Sequence, residues 1–351
     1  MIISGRYQPG DKLPSDNELV REHGISNATI RAAIASLVHE GLVYRIQGKG
    51  SYVAEKKPGP IDIALVLPHL YAEVLKYGKS SPDIMPRLVS AIEDEARKNN
   101  ADIILYLDHG SNEKERRNLG YLLDRNADAA LIFYTGGMQN LDELERVRDS
   151  GIPLVMIDRY IEGAEIDYVG TNNASGVKQA MQKLVDSGFR TIHYFEVPTW
   201  FFTSERERHN AYIEACIELQ LVPSIHSILP DDSETDRLPG WQDDVTNKLV
   251  AHIMENRTSP VAFFAENGPV QNLIWLALQS KEFKYDEIAI AAFDEPFADM
   301  HDEILHIEII QPLEEIGRQS VRTSINRLKG STDITHMMLE PEIRITGNIT
   351  Y

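Results

Sequence analysis

Apolar residues recur in two rhythms along this chain. Between Ser26 and Glu40, Ile30, Ile34, Leu37 and Val38 return at helical spacing and mark one face for a small core. From Ile61 onward, short apolar runs take over: "IDIALVLP", "ADIILYL", "DAALIFY", "IPLVMID", "TIHYFEV", "PVAFFAE" and "EIAIAAFD". Between them lie amphipathic stretches such as "MPRLVSAIEDEARKN", "NASGVKQAMQKLVDSG" and "RERHNAYIEACIELQ". Fully apolar strands alternating with helices predict an α/β body of parallel sheets flanked by helices. Roughly 290 residues exceed what one such layered unit needs, so two lobes are expected.

The front of the chain follows another plan. Ser15-Asp16-Asn17-Glu18 has the form of a capping box, which predicts a short helix from Asp16 to His23, with Gly24 at its C-terminal turn. Ser26 is placed to cap a second helix that Gly41 ends. "LVYRI" and "SYVA" then read as strands around "QGKG", giving a winged helix-turn-helix. "EKKPGP" marks a boundary by composition. The expected divisions are 1–57 for the winged head, 58–60 for a linker and 61–351 for a two-lobed body.

Charge separates these parts. The 351-residue chain carries a formal charge of −19, yet residues 1–57 hold 8 Lys+Arg against 6 Asp+Glu. The acidic body repels phosphates and the head does not. No apolar run reaches the roughly 20 residues needed to span a bilayer. "MIISGRYQPG" lacks the basic-then-apolar layout of a secretory signal. A single cysteine, Cys216, excludes an internal disulfide and sits on an apolar helical face, as a core thiol would. These features point to a cytoplasmic protein without membrane contact. The 11 histidines show no metal-ligand spacing, and "GxxxxGK[ST]", "GxSxG" and "HExxH" are missing. The expectation is therefore a non-enzyme with no cofactor and no metal.

Near the start of the second helix, Asn27, Ala28, Thr29 and Arg31 occupy positions from which a recognition helix reaches bases and phosphates. Gly48 and Gly50 flank Lys49 at the tip of the hairpin, where a basic ribbon enters a minor groove or touches phosphates. A winged helix that binds protein instead stays open on spacing alone. The stretch from Gly5 to Val53, with "PGDKLPS", "SNATIR" and "GKGSYV", resembles the DNA-binding domain of GntR-type regulators. That resemblance implies operator contacts from Ser15, Asn17, Ser26, Asn27, Thr29, Arg31, Gln47, Gly48 and Lys49. Family members begin with a full helix before "SGRYQPG", whereas Met1 to Ser4 precede Gly5 here. A truncated first helix would expose Leu19, Ile30 and Leu37. Arginines common in the family are replaced by Asn17 and Asn27, which lowers the expected phosphate affinity.

The body resembles LacI/GalR-type effector domains, which share the periplasmic-binding-protein fold. "GIPLVMIDR", "VGTNNASGVKQAMQKLVDSGFRTI", "SERERHNAY", "PVAFFAEN", "EIAIAAFDE", "IIQPLEEIG" and "LEPEIRI" carry the likeness in order. It departs at Asn267-Gly268, at Asp294-Glu295 and at "HIEII". The resemblance implies ligand contacts at Asp158, Arg208, Asn267 and Asp294, projecting from strand ends into a cleft between the lobes. Arg is a rigid donor fork and Asp an acceptor, a pairing suited to adjacent sugar hydroxyls. Trp200, Phe201, Phe202 and Trp241 are candidates for stacking on a sugar, or else for core or dimer contacts. The whole reads as a sugar-responsive transcriptional repressor, a homodimer on double-stranded operator DNA. A non-sugar ligand, or an enzyme with an appended winged helix, stays open.

Overall fold

The computed structural model describes residues 7, 10–39, 43–46, 50–53, 60–68, 84–125, 127–197, 202–228, 241–257, 260–279, 287–294 and 304–347. The chain divides into two compact units, Met1–Ile61 and Asp62–Tyr351.

In the first unit, helix α1 (Asp16–His23) starts on the capping box. The Glu18 N–H donates to Ser15 Oγ at 3.3 Å, and the Ser15 N–H donates to Glu18 Oε2 at 2.7 Å. Gly24 closes it with φ of 67°, a left-handed conformation that glycine adopts without strain. Helix α2 (Asn27–His39) starts where Ser26 Oγ accepts from the Thr29 N–H at 3.1 Å. Strands β1 (Val43–Ile46) and β2 (Gly50–Val53) pair antiparallel, with Val43 opposite Val53. Leu13, Ile30, Ile34, Val43 and Val53 form the core.

One expectation shifts here. Val38 is 40% exposed, because it lies about 80° round the helix from Ile30 while Ile34 and Leu37 flank that residue more closely. Ile30 is only 5% exposed, and Leu19 and Leu37 pack partly buried beside it. Leu13 joins that core, its N–H donating to Ser51 O and the Val53 N–H donating to Asp11 O; the expected truncated first helix falls on residues 1–6, which lie outside the described residues.

The second unit holds two six-stranded sheets. The first is ordered β4-β3-β5-β6-β7-β13, from β3 (Ile61–Leu67), β4 (Ala101–Leu107), β5 (Ala129–Ile132), β6 (Leu154–Ile157), β7 (Asp167–Thr171) and β13 (His336–Leu339). Helices α4 (Asn112–Asp124) and α5 (Leu141–Asp149) cover one face with Leu119, Leu122, Leu144 and Val147. Helix α10 (Leu313–Leu328) packs on β5, β6 and β7 and against α3 (Ile84–Lys98). Gly317 permits that last approach, since a Cβ there would come within 3.0 Å of the Leu88 carbonyl.

The second sheet repeats the order as β9-β8-β10-β11-β12, with β14 outermost beside β12. Its strands are β8 (Thr191–Glu196), β9 (Ile225–Ser227), β10 (Val261–Ala265), β11 (Ile288–Phe293), β12 (Leu305–Ile310) and β14 (Glu342–Thr346). Helices α6 (Asn173–Asp186) and α7 (Thr203–Glu218) bury one face, with Cys216 in that core. Helices α8 (Trp241–Asn256) and α9 (Gly268–Gln279) bury the other. The expectation of parallel sheets needs one correction. β14 runs antiparallel to β12, with Ile307 opposite Ile345, because the chain returns from β13 and closes the sheet as a largely exposed edge strand.

Three segments join the sheets: Thr171–Asn173, Ile310–Leu313 and Leu339–Glu342. They are bonded to one another. Thr171 Oγ1 donates to Gln311 Oε1 at 2.8 Å, and the Asn172 side chain donates to Glu340 Oε1 at 2.7 Å.

One buried ion pair fastens the start of β7. Asp167 is 2% exposed and accepts from Arg327 Nε and Nη2 at 2.5 and 3.0 Å and from the Thr335 N–H at 2.6 Å. Arg327→Met strands this carboxylate and should cost about 3–5 kcal/mol in urea unfolding of the body. Breaking the half-exposed Arg318–Glu315 pair with Arg318→Met should cost no more than about 1 kcal/mol.

Candidate functional site

In the head, Ala28, Thr29 and Arg31 are exposed along the first turns of α2, and Asn27 is half-buried. The N-terminus of this helix favours an anion there. Arg31 is 69% exposed, and its Nε lies 3.6 Å from Asp16 Oδ2. Arg45 of β1, which the sequence did not single out, approaches Asp16 Oδ1 at 3.5 Å. Asp16 thus gathers two cations. Ser15 and Ser26 are engaged in capping, and the Ser26 and Thr29 hydroxyls lie 2.8 Å apart. The Asn17 side chain and all of Gln47, Gly48 and Lys49 lie outside the described residues. Gly50 has φ of 112°, within reach of glycine and strained for other residues.

In the body, the strand order reverses between β3 and β5 and again between β8 and β10. Such switch points leave a crevice at the carboxyl ends of the strands. In the second sheet the crevice is lined by acids. Glu196 ends β8 and Glu266 follows β10, and they are 5% and 1% exposed. The Val197 N–H donates to Glu266 Oε1 at 2.6 Å, across the crevice. Arg208, 5% exposed, enters from α7 rather than from a strand end as expected. Its Nε donates to Asn173 Oδ1 at 2.8 Å, its Nη1 donates to the Glu266 carbonyl at 2.9 Å, and its guanidinium lies 3.7 Å over the Phe293 ring.

Asp158 and Asp294 occupy equivalent places. Each follows the fourth strand of its sheet, each is left-handed (φ 66° and 71°), and each N–H donates to the neighbouring strand, at Val169 O and Ile309 O. Aspartate tolerates this conformation better than most residues. Asp294 Oδ1 accepts from Gln311 Nε2 at 2.9 Å, which ties it to the Thr171–Gln311 bond between joining segments. Asp158 lies 3.4 Å from Arg159. The Arg159 guanidinium lies between Phe133 and Phe202, at 5.0 and 3.8 Å, and reaches Glu205 at 3.6 Å. Contacts across the lobes include Tyr160 Oη donating to Glu207 Oε1 at 2.8 Å and the Tyr160 N–H donating to Thr203 Oγ1 at 3.0 Å.

The four expected cleft residues divide by role. Arg208 and Asp158 both act on the Asp294 carboxyl, the first lowering and the second raising its pKa. Asn267 caps α9 instead, with Oδ1 accepting from the Val270 N–H at 3.1 Å, and its amide lies 3.4 Å from Glu266. Phe202 precedes α7 and covers Arg159, Trp200 and Phe201 lie outside the described residues, and nothing is described of the Trp241 side chain. Sequence reasoning missed Arg159, Glu196, Glu205 and Glu266. The available signal was a charge ending an apolar run, as in "TIHYFE" and "PVAFFAE".

Burial dominates the electrostatics. Desolvation raises Glu266 to about 8 and Glu205 to about 7, reinforced by neighbouring carboxylates and opposed by Arg208. Asp294 is raised for the same first reason, while Arg208 and Gln311 pull it back. His209 Nδ1 sits 2.6 Å from Glu196 Oε2 behind this group.

Comparison with known proteins bears on both parts. Residues 1–53 match the family described as "Bacterial regulatory proteins, gntR family". An arabinose metabolism transcriptional repressor of Halalkalibacterium halodurans is 29% identical over 54% of this chain, a stretch spanning 51% of that protein. Another of the same description, from Geobacillus stearothermophilus, is 24% identical over 99% of this chain and 94% of its own length. Among solved structures, a periplasmic binding protein/LacI transcriptional regulator from Alkaliphilus metalliredigens, complexed with D-xylulofuranose, superposes with a TM-score of 0.61 at 18% identity. That match covers 83% of this chain and 100% of the other. The head is a GntR-type DNA-binding domain, and the body has the periplasmic-binding-protein-like fold of LacI regulators. No helix among the described residues is long and apolar enough to cross a membrane.

The raised carboxyls make a pH prediction. Glu266 holds its proton more tightly folded than unfolded. Its protonated form therefore adds stability at low pH, and this is lost as pH rises from about 4.5 through about 8. The melting temperature should fall across that window, and Glu266→Gln should flatten the fall. Thermal unfolding of both proteins from pH 5 to 8 checks it; parallel curves contradict it.

Proposed function

We propose that this chain is a transcriptional repressor whose binding to double-stranded operator DNA is controlled by a small neutral sugar, arabinose-like, held between the two lobes of the body. The observation that carries this reading is the group Arg208, Phe293, Asp294 and Gln311. A guanidinium fork and a carboxylate converge at a switch point, and a hydrogen bond links the carboxylate to the segments joining the lobes. Vicinal hydroxyls suit that donor–acceptor pair. The two relatives described as arabinose repressors, and the sugar in the superposing structure, agree with it.

On this reading Arg208 donates to one hydroxyl and Asp294 accepts from the next. Asp158 and Arg159 close from the other lobe. Ligand that favours the closed arrangement shifts the lobe equilibrium by its differential affinity for the two states and no more. The change passes through Gln311 and Thr171 to the joining segments. The protein works as a cytoplasmic homodimer whose paired heads hold two operator half-sites, and it catalyses no reaction.

A second reading is favoured by one observation. Glu196, Glu205 and Glu266 place more carboxyl groups in the crevice than a neutral sugar uses; burial holds the protons on Glu205 and Glu266, and a ligand bearing a positive charge would draw them off on binding.

Two predictions separate these roles. Arg208→Ala and Asp294→Ala should bind operator normally without ligand, yet need about ten- to a hundredfold more inducer for release, the equivalent of about 1.5–3 kcal/mol. Operator binding is titrated against arabinose, xylose and galactose, with glucosamine as the cationic probe. Release of wild type and both variants at one concentration rejects the cleft assignment, and glucosamine alone acting favours the second reading.

In the head, Arg31→Ala should weaken operator binding and reduce the slope of log affinity against log salt by about one. An unchanged affinity and slope would remove Arg31 from the DNA contact.

A further inference from the structure

Two histidines that the sequence holds 33 residues apart meet near the edge of the second sheet. His193 lies in β8 and His226 in β9. His193 Nδ1 is 2.9 Å from His226 Nε2 and 2.8 Å from Ser224 Oγ, and Ser224 Oγ is 3.1 Å from His226 Nε2. Three polar atoms therefore close a triangle. If both neutral rings carried their protons here, N–H would point at N–H. At most one ring does so, and the hydroxyl supplies the other proton. Three contacts share two protons, so lone pairs converge on one point. Phe195 and Phe263 wall this point, with ring centroids 5.0 Å from His226 and 6.3 Å from His193.

We propose that His193 Nδ1 and His226 Nε2 bind a transition-metal dication such as Zn2+, with Ser224 Oγ and water in the remaining positions. Zinc–imidazole bonds are about 2.0–2.1 Å long, so nitrogens 2.9 Å apart subtend close to a right angle, and opening by a few tenths of an ångström reaches the tetrahedral angle. Each ring accommodates the metal by moving its proton to the other nitrogen. Among the described residues no group of three or more His, Cys, Asp or Glu is arranged for a metal. The site is therefore a two-imidazole clip that staples β9 to β8, of micromolar rather than structural-zinc strength. It is independent of the cleft and of any sugar.

The test titrates the full chain with Zn2+ alone by calorimetry. Wild type should bind one Zn2+ per chain, and His193→Gln and His226→Gln should each weaken it at least tenfold while melting as wild type does. If either variant fails to fold, zinc-edge X-ray absorption of the wild type counts its imidazole ligands, two being expected. No binding, equal binding by both variants, or a spectrum without imidazole would overturn the proposal.

Discussion

A single guanidinium placed in a dry crevice organises the carboxyl-end crevice of the second sheet. Arg208 is out of water, and such a charge is costly unless its surroundings answer it. Three elements do so: Asn173 at the start of α6, the Glu266 carbonyl beyond β10, and the Phe293 ring at the end of β11. None of these is a carboxylate. At longer range Arg208 acts on Glu266, Glu205 and Asp294, opposing the rise that burial gives each of them. The fork is thus fixed in direction by neutral partners. Holding a charged donor in one direction before a ligand arrives lowers the ordering cost of binding.

That placement depends on close packing behind it. Gly176 on α6 lies where a Cβ would meet Ile309 Cγ2 at 2.7 Å and Phe293 at 3.3 Å. A side chain there would push α6 off the sheet, and Asn173 with it. The same helix begins at the end of the first joining segment, so the group holding Arg208 and that segment share one element. Asp294, Gln311 and Thr171 make a second link between them. On the proposed function, ligand bound beside Arg208 and Asp294 acts on the joining segments through two routes, one of packing and one of hydrogen bonds.

The sequence revealed these features unevenly, for physical reasons. Apolar runs such as "IDIALVLP" and "PVAFFAE" announce buried central strands because both faces are covered. β7 and β12 pass unnoticed because polar residues interrupt them, as in "DYVGT" and "LHIEII", and β9, β13 and β14 because they are short or edge strands with exposed positions, as in "EIRIT". The capping box at Ser15 and the hairpin are written in local residues and are readable directly. Arg208 and Asp294 came through a family likeness. The acids around them did not, since nothing in a linear pattern says that Val197 and Glu266, 69 residues apart, meet and bring Glu196 into the same crevice. Val38 shows the limit from the other side: helical spacing identifies a face, while the width of the partner surface decides where burial ends.

Electrostatics sets how the head meets nucleic acid. A body this acidic contributes repulsion, so attraction to phosphates has to come from few cations. Arg31 and Arg45 are both drawn toward Asp16, at distances where an exposed pair is worth about 1 kcal/mol or less. A phosphate competes with Asp16 for each arginine and gains less than it would from an unpaired side chain. This penalty applies equally to every DNA sequence. On the proposed function, base-edge contacts then make up a larger share of the binding energy, which favours the specific site over the bulk of the genome. Asp16 also starts α1, where its charge is favourable to the helix dipole, so its position serves the fold and the selectivity at once.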